Sequence, residues 1–307
     1  MTQLHITGDP IIHGLSIAIG NFDGVHLGHQ EVLNAAKSKG SLGVVSFAPN
    51  PKRHFVPDTP NFELMSDEVQ CKILKSFGAK TVTHIAFNDA LVEMSPVAFV
   101  DAIAAQFKPT HVSVGTDFQF GKDRAGNVEM LKTGLSAQGI EVTALPLLEI
   151  GGEKVSSTRI RKLLSDGEVK IANQLLGRPH IMHGIVAQGD QRGRDLGFPT
   201  ANLYPTGIML PKFGIYATRL RIHDGDCAGD YLGASSLGVR PSFGINKPNF
   251  ETHILDFEGD IYGCEITVEL IEYLRPEVKF EGIEKLIGQM ALDVIQCRKI
   301  LAELQNA

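Results

Sequence analysis

The sequence predicts an α/β chain of two domains: a doubly wound parallel sheet over residues 1–179, then a small antiparallel β-barrel with a C-terminal helix over residues 180–307. Three observations carry this. The first half alternates β-branched apolar runs with amphipathic ones, as parallel strands and their crossover helices do. Past Arg178 the apolar runs become short and evenly spaced, separated by Gly, Pro, Asp and Asn, the texture of an antiparallel barrel or sandwich. At 307 residues, 43% of them apolar, the chain exceeds a usual single domain and has material for two cores.

The elements follow in order. "LSIAI" (Leu15 to Ile19) reads as a short buried strand, and the amphipathic run after it opens a helix near Gly28. Strands are expected at Leu42 to Ala48, Thr81 to Phe87, Thr110 to Gly115 and Ile140 to Leu148. Helices are expected from Ser66, Ser95 and Asn127; two open with Ser as N-cap, and the first and last run into a glycine suited to the C-cap. "STRIRKLLSDGEVKIANQLLG" reads as two helices before the boundary, which falls between Gly177 and His183. Barrel strands are expected in "IMHGIVAQG", "IYATRLRIH", "YLGASSLGV", "FETHILDF" and "EITVELIEYL". The closing segment carries Ile283, Leu286, Ile287, Met290, Val294, Leu301 and Leu304 at helical spacing.

Composition narrows the function. No run of about 18 apolar residues occurs, and no charged segment followed by an apolar one opens the chain, so neither a membrane span nor a signal peptide is expected and a cytoplasmic protein is. A net charge of −6 argues against a surface that coats nucleic acid. Cys71, Cys227, Cys264 and Cys297 form no Cys-x-x-Cys pair, which suits reduced packing residues. His54, His84, His111, His180 and His253 lack metal-ligand spacing. Oligomeric state is not legible.

Two stretches point to phosphate. In "IGNFDGVHLGHQ" (Ile19 to Gln30), a strand-to-helix turn aims unpaired N–H groups and the positive end of a helix dipole at one point. His26 and His29 lie three apart on one side of that helix start, and Gly28 between them lets a phosphate approach the backbone. A neighbouring phosphate favours the imidazolium form. "VSSTRIRKLL" offers Ser156, Ser157 and Thr158 at a second helix N-terminus, with Arg159 and Arg161 in its first turns. The plain alternatives are a glycine-rich turn with capping histidines and an N-cap ahead of a solvated basic face.

"NFDGVHLGH" with "VSSTRIR" resembles the nucleotidylyltransferase superfamily, whose Rossmann-like domain holds ATP through a His-x-Gly-His motif and a basic, serine-rich one. With "VGTDFQFG" between them and "GDQRGRDLGFPTANL", "FGIYA", "LGVRPSFG" and "FETHILDFEGDIYG" behind, the chain is similar along nearly its whole length to the bacterial bifunctional riboflavin kinases and FAD synthetases. The resemblance implies ATP, riboflavin and FMN as substrates and Mg²⁺ as the metal. It implies an FMN adenylyltransferase over 1–179 and a riboflavin kinase over 180–307. For the first site it implies His26, His29 and Arg159 as catalytic, and Gly20, Phe22, Asp23, Gly28, Asp117, Ser156, Ser157, Thr158 and Arg161 as nucleotide-binding, with Asn50 at the flavin. For the second it implies Glu251 as catalytic base, Thr200 and Asn202 at the metal, Gly189, Arg192, Arg194 and Pro199 at the nucleotide, and Tyr216 and Arg240 at the flavin.

The second set also makes physical sense by itself. Pro199 stiffens an extended turn from which Thr200 and Asn202 project neutral oxygens to one face, ligands suited to a hard cation shared with ATP. Glu251 precedes a strand and can accept the proton of a hydroxyl. "GTDFQFGKD" is no P-loop, since five residues separate Gly115 from Gly121 and Asp123 follows the lysine. Ala48, Asn50 and Gln119 depart from the family pattern, and Lys52 or Arg53 are the cations nearest to compensate. Two further readings share parts of the pattern: an adenylyltransferase for another substrate, which lacks the "GFPTANL" half, and a flavin-binding carrier without activity.

Overall fold

The computed structural model describes residues 3–189, 198–239 and 248–305. By packing, the chain forms two compact units, Met1–Pro60 with Ser66–Ser157, and Asn61–Met65 with Thr158–Ala307.

The first unit runs β1 (Ile6–Gly8), β2 (Ser16–Ile19), α1 (Leu27–Lys39), β3 (Leu42–Ala48), α2 (Pro51–Phe55), α3 (Asp67–Ser76), β4 (Thr81–Ala86), α4 (Asp89–Val92), α5 (Pro96–Phe107), β5 (His111–Gly115), α6 (Val128–Ser136), β6 (Glu141–Leu145) and the small hairpin β7 (Glu149–Ile150) and β8 (Glu153–Lys154). The sheet order is β1-β4-β3-β2-β5-β6, with every pair parallel except β1 on the outside of β4. This is the predicted doubly wound sheet. Ile17, Ile19, Val112 and Val114 share a core with Phe99, Ile103, Leu131 and Leu135 of α5 and α6, while α1 buries Val32, Leu33 and Ala36 and packs along β2, β3 and β5. Ser66 and Ser95 cap their helices as expected, and Asn127 caps the third, each accepting the backbone N–H three residues on. The expected strand at Ile140 to Leu148 stops at Leu145, and β1 was not foreseen because three residues are too few for a period-2 pattern.

The second unit holds α7 from its second residue on (Ser157–Asp166), α8 (Val169–Leu176), β9 (His180–Ile185), β10 (Thr200–Leu203), β11 (Gly214–Ile222), β12 (Gly229–Val239), β13 (Pro248–Ile254), β14 (Glu265–Arg275) and α9 (Ile283–Gln305). Its six strands are antiparallel in the order β10-β13-β12-β11-β14-β9, and a bridge from Ala187 to Asn202 joins the two ends of the sheet, as the barrel prediction requires. Met182, Leu203, Leu220, Phe250, Ile266 and Val268 fill the interior, and Cys297 and Leu301 of α9 cover Ala217 and Ile271 outside it. The "GFPTAN" turn is a strand from Thr200 onward.

The packing division falls before the change of texture near residue 180. Asn173 of α8 ties into the barrel, donating to the carbonyl of Leu270 at 2.8 Å and accepting from the N–H of His180 at 2.8 Å. An amphipathic helix reveals that it buries a face, but not which sheet it buries it on.

Candidate active sites

In the first unit the turn between β2 and α1 is held in costly backbone. Phe22 and Val25 have φ of 51° and 42°, beside Gly24 at 84°. A β-branched residue in the left-handed region is a strained one that its surroundings must impose. Those surroundings are specific. The carbonyl of Asn21 accepts from Gln70 Nε2 of α3 at 3.1 Å and from Ser46 Oγ of β3 at 3.3 Å. The carbonyl of Val25 accepts from Gln30 Nε2 at 2.9 Å, and that of Asp23 from Ser157 Oγ at 2.7 Å. Gln30, Ser46 and Gln70 escaped the sequence reading, because a polar residue buried behind a turn carries no local signature.

His26 is the N-cap of α1. Its Nδ1 accepts the N–H of His29 at 3.3 Å, which leaves Nε2 as the ring nitrogen that can donate. The two imidazoles stack at 3.6 Å and 16°, and Phe22 meets His29 edge-on at 5.4 Å. They do lie on one side of the helix start. Burial, then His26, then Lys154 hold His29 well below the usual histidine range, so it is neutral at pH 7 in this structure. A negative phosphate acts against all three. The Nδ1 of His29 is buried without a partner among the described residues. A Cβ on Gly28 would stand 3.4 Å from the His26 ring, so this glycine sits against the imidazole. Gly20 lies against the Phe22 ring in the same way, at 3.3 Å.

Other expected residues have defined tasks. Asp117 is paired with Lys154 at 2.7 Å. Asn50 caps α2, accepting from the N–H of Lys52 at 3.1 Å. Lys122 of the rejected P-loop is engaged with Glu93 at 2.6 Å. Ser156 precedes α7 and Thr158, Arg159 and Arg161 lie in its first turns; Arg161 donates to Thr158 Oγ1 at 3.1 Å and stands over the Phe62 ring at 5.6 Å.

In the second unit, β10 and β13 bring the oxygens together. Thr200 and Asn202 share a face of β10 by the two-residue period. Asn202 lies opposite Glu251 in the register, and Thr200 opposite His253. Asn202 is buried; its Nδ2 donates to the Thr200 carbonyl at 3.2 Å and its Oδ1 accepts from Asn249 Nδ2 at 3.1 Å. The same Asn249 Nδ2 donates to Glu251 Oε1 at 2.7 Å. A Cβ on Gly189 would fall 2.6 Å from Asn202 Nδ2, so the backbone there passes directly over the amide. Pro199, whose carbonyl meets His253 Nδ1 at 3.0 Å, borders a cleft of about 260 Å³ walled by Val186, Thr200, Phe257, Ile261 and Tyr262.

Of the expected flavin and nucleotide residues, Tyr216 is placed differently and three others lie outside the described residues. Tyr216 is 0% exposed, its hydroxyl donates to the carbonyl of Lys212, and its ring packs edge-on against Tyr273 at 5.3 Å. Burial raises its pKa and leaves no ring face for a ligand, because the inward side of β11 meets the barrel core. Arg192, Arg194 and Arg240 lie outside the described residues.

One arrangement offers a helix N-terminus and imidazoles, groups suited to a phosphate, and the other neutral oxygens, groups suited to a hard cation. The chain matches the family model for FAD synthetase over residues 9–159 and that for riboflavin kinase over residues 176–301. The bifunctional riboflavin kinase/FMN adenylyltransferase of Listeria monocytogenes is 35% identical over 94% of this chain and 93% of its own. That of Pseudomonas fluorescens is 36% identical over 95% of each. A solved structure described as a macrolide-efflux protein from Streptococcus pneumoniae is 29% identical, with a TM-score of 0.83 over 93% of this chain and 94% of its own. No helix among the described residues is long and apolar enough to cross a membrane. The chain belongs to the bifunctional riboflavin kinase/FMN adenylyltransferase family.

Proposed function

We propose that the chain makes FAD from riboflavin in two ATP-dependent steps in the cytoplasm, the kinase chemistry lying in residues 180–307 and the adenylyltransferase chemistry in 1–179. The observation that carries this is the pairing of Glu251 with Asn202 across β10 and β13, with Thr200 on the same face of β10 and bordering a cleft.

In the kinase step the ribityl 5′-hydroxyl oxygen attacks the γ-phosphorus of ATP, its proton passes to Glu251, and the bond to ADP breaks, giving FMN. Thr200 and Asn202 fit Mg²⁺, since their side chains offer only hard oxygens to that face and Asn202 is buried and clamped, with Oδ1 keeping a second lone pair. When bound, the ion neutralises charge on the phosphates. Pro199 and the cleft beside it take the nucleotide, with Gly189 close enough for its backbone to share in that contact.

In the second step an FMN phosphate oxygen attacks the α-phosphorus of another ATP, and pyrophosphate leaves. The attacking phosphate is already ionised, so no strong base and no covalent enzyme intermediate is needed; positioning and charge stabilisation supply the catalysis. His26 presents Nε2–H, His29 strengthens as a donor as phosphate charge arrives, and Ser156, Thr158, Arg159 and Arg161 serve the triphosphate. Ser157 supports the turn through Asp23, which together with Gly20, Phe22 and Gly28 shapes the backbone cradle. Asp117 lies near the nucleotide and Asn50 serves the flavin side. Arg192, Arg194 and Arg240 act in the kinase half.

Incubation with riboflavin and ATP, resolved by chromatography, tests the whole reading. FMN followed by FAD is expected; FMN alone means an inactive first half, and neither product means a binder. Both steps should stop under exhaustive chelation and return with Mg²⁺. Product formed in excess EDTA would remove the metal from the mechanism. Gly189→Ala tests the amide contact: it should displace Asn202 and slow FMN formation by about 10- to 100-fold, the usual cost of misplacing a ligand's support, with FMN adenylylation as the internal reference. A parental kinase rate would dissociate Asn202 from the reaction.

A further inference from the structure

We propose that Asn249 is a positioning residue of the kinase step, its single amide nitrogen fixing Asn202 and Glu251 in one mutual arrangement. The inference rests on the reading of Asn202 as metal-facing and Glu251 as base. Asn249 is only 7% exposed and stands two residues before Glu251 on the same face of β13. A side-chain amide nitrogen carries two hydrogens, and both are spent: one on Asn202 Oδ1 at 3.1 Å, the other on Glu251 Oε1 at 2.7 Å. Turning the amide over would set its oxygen against two oxygens, so its orientation is determined.

The consequence passes to both partners. With Nδ2 tied to the Thr200 carbonyl and Oδ1 to Asn249, the Asn202 amide has one orientation, and it is the one that keeps an oxygen lone pair for a cation. Glu251, held by a charge-assisted bond, cannot swing away from the strand that carries the ligands. The oxygen of Asn249 is buried with no partner among the described residues.

Asn249→Leu keeps the volume and removes the shared donor; Asn249→Asp keeps the shape and sets a carboxylate against Glu251. Both should lower kinase kcat by about 10- to 100-fold, as loss of a ligand's support does elsewhere, with the riboflavin KM within about twofold. A readout independent of turnover is calorimetric titration with ADP, with and without Mg²⁺: the Mg²⁺-dependent gain in affinity should weaken by about 10- to 100-fold. Unchanged kcat and unchanged Mg²⁺ linkage overturn the proposal, as does an equal loss of FMN adenylylation, which marks a general structural role. If Asn249→Leu does not fold, Asn249→Ser carries the test, because its hydroxyl can serve only one of the two acceptors; a partial loss supports the proposal and parental kinetics refute it. Failure of the unmutated enzyme to form FMN would instead bring down the underlying reading.

Discussion

Glu251→Gln is expected to slow riboflavin phosphorylation by about 10²- to 10⁴-fold, the scale of a lost general base, while FMN is still converted to FAD. The substitution is nearly isosteric. Glutamine can still accept from Asn249 through its amide oxygen and can still lie opposite Asn202 on β10, so the local architecture survives. What it cannot do is take the proton of the ribityl hydroxyl. The loss should therefore appear in kcat rather than in nucleotide affinity. Steady-state rates with riboflavin, and separately with supplied FMN, make the measurement. A parental phosphorylation rate would exclude Glu251 as base, and a matching collapse of adenylylation would mean that the chemistry is not divided between the two halves of the chain.

His29→Ala is expected to give the mirror image: riboflavin is consumed, FMN accumulates, and FAD formation falls by about 10²-fold or more, as when an oxyanion donor is removed. The structure sharpens the reason. His29 is neutral here because burial, His26 and Lys154 all oppose its charge, so it stands ready as a donor whose strength rises only as negative charge develops beside it. Alanine also removes the ring that stacks on His26 and meets Phe22, so His29→Gln, which restores an N–H donor, should recover part of the rate if donation is the function. Alanine and glutamine variants with equal activity would reduce His29 to a packing residue. Retained FAD synthesis in His29→Ala alongside lost FMN synthesis would reverse the assignment of the two chemistries.

Much of this was legible because it is local. Ser66, Ser95 and Asn127 announce helices through bonds spanning three residues. His26 and His29 are brought together by one helical turn, and Thr200 and Asn202 share a face by the two-residue period of a strand, although the strand itself was read as a turn. Tyr216 shows where such reading stops. Its position in "FGIYA" says nothing of which side of β11 faces the core, and the structure turns it inward.

By itself, then, the sequence determined the two-part architecture, the glycine-rich turn and the pairs His26 with His29 and Thr200 with Asn202, since these rest on periodicity and contacts a few residues apart. Only the tertiary structure decided that α8 packs on the barrel, that Ser46 and Gln70 hold the carbonyl of Asn21 from two other elements, and that Asn249 joins Asn202 to Glu251. The physical reason is range: these bonds link residues from 25 to 97 positions apart, apart from the short step from Asn249 to Glu251, and strand register and helix packing choose such partners after the local elements exist. The neutrality of His29 belongs with them, because burial and the approach of Lys154 are set by the folded chain and not by the neighbours of a histidine in sequence.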